Sequence, residues 1–443
     1  DDEEQSNWGT PAQDARKGLI GRFNYDYKGK YLAEFSFRYD GSLKFHPDRR
    51  WGFFPSVSLG WRLSEEAFMK KFSNLDNLKV RGSYGILGND AVGGWQWLTN
   101  YSFGNAYIFN QAPIKSIVSG GIPNVDLTWE KTATFNFGVD ASIYKGLLAV
   151  EADVFYKRTY DILGSRNASM PQTFGATLPS ENYGIVKVKG FELQVKHDNK
   201  IGDFRYHVGG NVSWSRNKVI EKDYAAGAEP WNIPVGKTMG YRACFVALGL
   251  FQSDEEAAAW PRFKGTQPTA GDVKYADLNN DGIMDERDKK VVSPYSNTPE
   301  IMFGLNLSAS WKGFDFSALF QGAANRNVML SGFATQMFIN GASNLPKYLY
   351  EDHWTPDNRD ARYPKAWGPD HPSNNKSSTF WLINGNYVRL KNVELGYSIS
   401  KDLLSRVGVD RLRIYVGGSN LFSIDHMPGY DPEKQDGGPN YYP

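Results

Sequence analysis

The chain has 443 residues, and its 50 Lys and Arg against 49 Asp and Glu leave a formal charge of +1, so no global field points to nucleic acid or an anionic surface. Cys244 is its single cysteine, which excludes an internal disulfide framework and a cysteine-rich metal site. Aromatic content of 15% with 45 glycines suits strands and turns, and the longest apolar runs fall far short of the ~18 residues of a membrane helix, which says nothing against a barrel whose alternate residues face water.

Residues 1–17 are polar and acidic without periodicity and read as loop. From there, runs of strict period two follow one another. Gly21, Phe23, Tyr25 and Tyr27 alternate with Arg22, Asn24 and Asp26; after Gly29, the run Tyr31, Ala33, Phe35, Phe37 and Tyr39 alternates with Glu34, Ser36 and Arg38. The pattern returns through Phe53 to Trp61, Leu78 to Ile86, Ala133 to Ala141, Leu148 to Tyr156, Phe191 to Val195 and Phe204 to Trp214. The clearest case is the hairpin from Ile301 to Gln321, where Ile301, Phe303, Leu305, Leu307, Ala309 and Trp311 share one face and, past Lys312-Gly313, Phe314, Phe316, Ala318 and Phe320 continue it. Two last runs, Val393 to Tyr397 and Leu412 to Gly418, bring the count to twelve; a phase slip between Leu390 and Val393 reads as a bulge. Runs of about ten residues match the nine to eleven that a tilted strand needs to cross hydrocarbon.

Connections decide the architecture. Tight ones at 28–30, 144–146, 198–202 and 312–313, joined by longer ones at 63–77 and 399–410, alternate with connections at 41–52, 88–131, 161–184, 217–300 and 325–385. This alternation predicts an all-β, antiparallel transmembrane barrel with short turns on one side and long external loops on the other. The apolar sets contain no Lys or Arg. Arg22, Asn24, Asp26, Glu34, Arg38, Glu151, Asp153, Arg205 and Asn211 fall on the opposite, lumenal parity. Twelve strands with two open edges should not stand alone, so the chain reads as part of a larger barrel, with an odd number of strands upstream and one closing strand downstream.

Within the 217–300 loop, residues 277–288 carry oxygen ligands at calcium-loop spacing. Asp277, Asn279, Asp281 and Asp288 would bind by side chain, Ile283 by its carbonyl and Asp285 directly or through water, with Gly282 at the sharp turn. Asp288 stands where a longer Glu normally binds bidentately, so the expected affinity is modest, about 10⁻⁴ to 10⁻³ M. No histidine pair has zinc spacing and no G-x-S-x-G elbow is present, so no catalytic residue is expected. Loop aromatics Trp95, Trp97, Tyr101, Trp231, Trp260, Trp354 and Trp367 are the candidates for stacking on a solute; Tyr107 and Trp381 belong to the same group, and for each one packing between loops is the competing reading.

Five segments together resemble one family: Trp51 to Trp61; Leu78 to Gly85 with Gly88-Asn89; Val273 to Asp288; Tyr387 to Tyr397; and Gly418 to Phe422 with Pro428 to Pro432. Their order and combination resemble the C-terminal part of SusC-like TonB-dependent transporters, the outer-membrane barrels of Bacteroidota nutrient uptake. The resemblance implies a 22-stranded barrel with an N-terminal plug and TonB box, paired with a SusD-like surface lipoprotein, in the outer membrane of a Gram-negative bacterium. Nine strands upstream, twelve here and one closing strand give that number. Plug, TonB box and final strand are absent from this sequence and are expected in other segments of the same protein. The function implied is TonB-energised import of an oligosaccharide or oligopeptide. Two rivals remain: a secreted, calcium-stabilised β-protein that binds or hydrolyses polysaccharide, and a TonB-dependent siderophore receptor.

Overall fold

The computed structural model describes residues 13–109, 112–176, 178–338, 344–367, 371, 373–405, 408–434 and 436. Twelve strands form one antiparallel sheet in chain order: β1 (Arg16–Tyr27), β2 (Tyr31–Ser42), β3 (Trp51–Arg62), β4 (Leu75–Asn89), β5 (Glu130–Ile143), β6 (Leu148–Gly164), β7 (Glu181–Ile201), β8 (Phe204–Glu221), β9 (Ile301–Trp311), β10 (Phe314–Ala324), β11 (Tyr387–Ser398) and β12 (Arg413–Ile424). All twelve coincide with the expected runs. Among the described residues β1 pairs only with β2 and β12 only with β11, so the sheet has two open edges.

Register follows the pattern of residues. Between β9 and β10, Leu305 lies opposite Phe320 and Leu307 opposite Ala318, so the apolar residues of both strands fall on one face. The turn joining them has positive φ at both central residues, Lys312 (45°) and Gly313 (90°), the geometry that matches strand twist in a two-residue hairpin. At Lys391 the register breaks against both β10 and β12, which is the expected bulge. Phe35, Leu305 and Phe316 remain 37%, 38% and 38% exposed, and Val150 is half-buried. The apolar face therefore looks outward and is not the dry interior of a sandwich.

Aromatic rings rim that face at both ends. Tyr27, Tyr31 and Trp61 stack in a row at the short-turn end, with centroids 6.4 and 6.2 Å apart, and Tyr39 stacks on Trp51 at 4.9 Å at the long-loop end. A hydrogen-bonded row climbs between these levels: Phe23, Phe35, Val57, Tyr84, Phe135, Tyr156, Lys189 and Arg216 are successive cross-strand partners. It begins among apolar residues and ends among cations, as tilted strands in a barrel wall dictate. β6, β7 and β8 are long, at 17, 21 and 18 residues, and run past the belt.

The connections hold the hydrophobic cores. Phe45, Phe54, Leu127 and Trp129 pack below the 88–131 loop. Phe245, Val273, Tyr275 and Met284 centre the 217–300 loop, which also carries three two-stranded pieces and a helix, Asp254–Ala259. Val328, Leu330, Met337, Leu349, Tyr363, Trp367, Trp381 and Ile383 form a third core with Met427. Strand pairs inside the loops are not among the expected elements; the longest is the hairpin of the 88–131 connection, Tyr101–Phe109 with Ala112–Ser119. The longer connections of the short-turn side are explained by a 3₁₀ turn at Leu63–Glu65 and a helix at Lys401–Leu404.

Candidate functional site

The polar face of the sheet is laced by ion pairs. Arg81 of β4 reaches across β5, donating to Asp140 (3.0 Å) and bidentately to Asp153 of β6 (2.6 and 2.5 Å), while Asn136 also donates to Asp153 (2.7 Å). The span is open because Gly138 stands between Arg81 and Asp153 in the register; a Cβ there would lie 2.6 Å from the guanidinium carbon. The device recurs at Gly396, over which Arg413 meets Asp315 (2.5 Å) with Glu394 as second acceptor. Arg22 pairs with Glu34 at 2.5 Å. Such a wall presents paired, fixed charges on the polar face of the sheet.

Above the wall, the loops are tied together by a buried polar knot. Asp272, 1% exposed, accepts from Asn374 Nδ2 (2.9 Å) and the Thr269 amide (2.8 Å), with Lys365 at 3.5 Å and His371 Nε2 at 3.4 Å. Asn374 accepts from the Val273 amide (2.9 Å), and Trp381 Nε1 donates to its carbonyl (2.7 Å). Burial lowers the His371 pKa against the opposing pull of Asp272. The knot joins the 217–300 and 325–385 loops into one body.

A second tie crosses from the loops to the segment after β12. Arg389, buried on β11, donates to Asp431 (2.9 and 3.1 Å) and Glu433 (3.1 Å), and Lys391 to Glu433 (2.7 Å). Buried Arg326 donates to the carbonyls of Pro432 (2.7 Å) and Lys434, and Arg242 pairs with Asp436 (2.8 Å). Four cations thus hold residues 431–434 and Asp436 against the end of the wall. Sequence reasoning did not pair these groups. The available signal was Arg389 and Lys391 as neighbouring cations on a strand, with Asp431 inside the Pro428 to Pro432 stretch and Glu433 just after it.

The aromatic candidates separate by burial. Trp354 and Trp367 are only 8% and 6% exposed, with Trp367 in the third loop core, so little of either ring stands open in this arrangement of the loops. Trp381, 1% exposed, packs likewise. Trp260 is half-buried, donates to the Tyr275 carbonyl (2.8 Å) and carries Lys274 Nζ 3.7 Å above its ring. Trp231 is half-buried. Trp95 and Trp97 lie 6.0 Å apart with His46 edge-on to Trp97 (5.3 Å), and Tyr101 is exposed on the unexpected hairpin. The Tyr107 side chain lies outside the described residues.

In the 277–288 loop, Asp277 accepts from the amides of Asn280 (2.7 Å) and Gly282 (2.9 Å), and Asp281 from that of Ile283 (3.0 Å). Asp288, fully buried, accepts from Leu278 (2.9 Å) and Asp285 (2.8 Å). The amide of Asp281 donates to Asn279 Oδ1. Arg287 bridges Asp281 (2.6 Å) and Asp285 (2.8 Å), which holds the Asp285 carboxyl below the usual range. No three acidic, histidine or cysteine side chains converge as a metal centre among the described residues, so a cation would enter only by displacing this guanidinium. Cys244 is buried, and burial pushes its thiol up to about 11, too high for thiolate chemistry.

A family model described as TonB dependent receptor-like, beta-barrel matches residues 1–421. A TonB-dependent receptor of Formosa agariphila is 30% identical over 434 residues, 95% of this chain and 43% of that protein. The TonB-dependent receptor SusC of Bacteroides thetaiotaomicron is 26% identical over 439 residues, 94% of this chain and 41% of that protein. Among solved structures, one described as the RagAB peptide transporter superposes with a TM-score of 0.74 at 23% identity, covering 98% of this chain and 46% of that one. The chain therefore spans less than half the length of the relatives it matches.

Proposed function

The chain belongs to the TonB-dependent receptor-like β-barrel family of outer-membrane proteins, and on that premise we propose that it builds the C-terminal part of a barrel that imports oligosaccharides or oligopeptides. In this reading it is the barrel subunit of a SusCD-type complex. A SusD-like lipoprotein covers the external loops, and TonB acts through a plug carried by another segment of the protein.

The observation that carries the reading is the two-faced sheet: an apolar, aromatic-rimmed outer surface backed by a wall of bridged charges. Only a protein with lipid on one side and water on the other needs both. The likeness to a structure described as a peptide transporter supports oligomeric nutrients as cargo. Arg81 and Arg413, already paired, present polarised carboxylates and guanidinium edges to hydroxyl or amide groups in transit. The family is one of transporters and not of enzymes.

Calcium belongs to the same proposal: Asp277, Asn279, Asp281 and Asp288 would hold it once Arg287 swings away, with the effect of stiffening the loop. Native mass spectrometry of the full-length protein purified in detergent tests the main reading. The expected spectrum contains the barrel, a co-purified lipoprotein and retained oligosaccharide or oligopeptide; a barrel that is water-soluble without detergent, or that carries ferric chelate as its ligand, would overturn it.

A further inference from the structure

Beyond the apolar belt, β6, β7 and β8 carry an unneutralised row of cations on the outward face. Val154, Phe191 and Trp214 are mutual cross-strand neighbours in the belt, with the Phe191 and Trp214 rings 6.0 Å apart. Two residues further toward the external loops the same face carries Tyr156, Lys189 and Arg216, and two further again Arg158, Lys187 and Lys218. In that last row three like charges stand directly opposite one another, an arrangement that destabilises a bare sheet.

Neighbouring cations have acidic partners: Arg216 pairs with Glu300 at 2.7 Å and Lys131 with Asp161 at 3.1 Å. Arg158, Lys187, Lys189 and Lys218 have no carboxylate partner among the described residues. Arg158 lies 5.5 Å from the Tyr160 ring, and Arg158, Lys189 and Lys218 are exposed. Tyr156, Lys187, Lys189, Arg216 and Lys218 line one recess, whose far wall is formed by Lys237, Tyr241 and Pro294 of the 217–300 loop.

We propose that Arg158, Lys187, Lys189 and Lys218 form a binding site for a phosphorylated lipid headgroup of the outer leaflet. The height selects the ligand, because one or two residue pairs above an aromatic rim is where headgroups begin. The orientation selects it too: the row shares the outward face of Val154, Phe191 and Trp214, below the 217–300 loop and on the opposite side of the sheet from the polar wall. Arg supplies a forked donor and the lysines compact charges, a combination suited to phosphate. The site serves no step of import; it anchors the wall at a fixed depth, and it rests on the outward orientation of the apolar face.

The test uses the folded full-length protein in detergent. Unaltered protein is offered a phosphorylated glucosamine-disaccharide lipid or its dephosphorylated counterpart, and binding is read by native mass spectrometry. At least about tenfold preference for the phosphorylated form is expected. The variant Arg158→Gln/Lys187→Gln/Lys218→Gln should lose about ten- to a hundredfold in that binding, while a charge-matched control at the opposite rim, Lys28→Gln/Lys145→Gln/Lys312→Gln, keeps it. Should the first triple variant fail to give a heat-modifiable folded barrel, Lys187→Gln alone is expected to lose severalfold. Equal binding of both lipids, equal loss in both triple variants, displacement by excess inorganic phosphate, or loss of a protein partner with lipid binding intact would overturn the proposal. Loss of lipid contact along the whole belt would instead refute the outward orientation itself.

Discussion

Gly138 matters because it lacks a side chain: only a bare Cα lets Arg81 lie flat across β5 and reach Asp153. Gly138→Leu would drive a branched side chain into the guanidinium and should destabilise the barrel by about 1–3 kcal/mol, read as a lower denaturation midpoint in detergent, with Gly138→Ala milder. Arg389 is the matching case at the mouth. Removing it leaves Asp431 without its cation while Glu433 keeps Lys391, and Arg389→Ala should cost the local fold about 1–3 kcal/mol, seen as loss of hydrogen-exchange protection and new protease cleavage at 425–434. His371 makes the loop body pH-sensitive. Its folded pKa lies below the usual 6.5, so the neutral ring's contribution is complete above pH 6.5 and is lost as pH falls through the depressed value. Limited proteolysis of the 325–385 loop should therefore accelerate from pH 7 to pH 5, and His371→Asn should flatten that dependence. These residue-level contacts were not legible in sequence, because Arg389 and Asp431, Arg81 and Asp153, and Asn374 and Asp272 stand 42, 72 and 102 positions apart among other charges that look alike.

At the scale of elements, the twelve strands could be read directly from residues such as Phe303, Leu305 and Leu307, because period two on a lipid-facing wall is a local property of the chain. The hairpin at Tyr101–Phe109 and Ala112–Ser119 could not, since Gly104, Asn105 and Pro113 interrupt its alternation. The burial of Trp354 and Trp367 was not legible for a related reason: an aromatic in a long loop looks available until the loop proves to have its own core. The lipid-facing assignment yields a paired prediction. Leu305→Arg, near the middle of β9, should cost about 2–4 kcal/mol, whereas Ser308→Arg on the wet face should cost little; abundance of folded protein in the outer membrane compares them. For the 277–288 loop, adding calcium should protect it from proteolysis with half-effect near about 10⁻⁴ to 10⁻³ M; Asp288→Asn should abolish the protection, and Arg287→Gln should strengthen it.

At the scale of the molecule, an open sheet of twelve strands and a set of interlocked loops form a partial structure whose edges at β1 and β12 await other strands of the same barrel. The cores sit outside the wall because a barrel wall has no interior of its own: one face meets lipid and the other water. This explains why composition alone pointed to turns and strands without locating a core. The same division gives the account its most direct test. Single cysteines placed at each position from Ile301 to Trp311 in the full-length protein, in outer membranes, can be probed with a hydrophilic thiol reagent and a bilayer-confined quencher. The account predicts strict alternation, with Phe303, Leu305, Leu307 and Ala309 positions shielded from the reagent and quenched by lipid, and Gly304, Asn306, Ser308 and Ser310 positions labelled from water. Uniform labelling of both sets, or shielding of the second set with the first exposed, would contradict it.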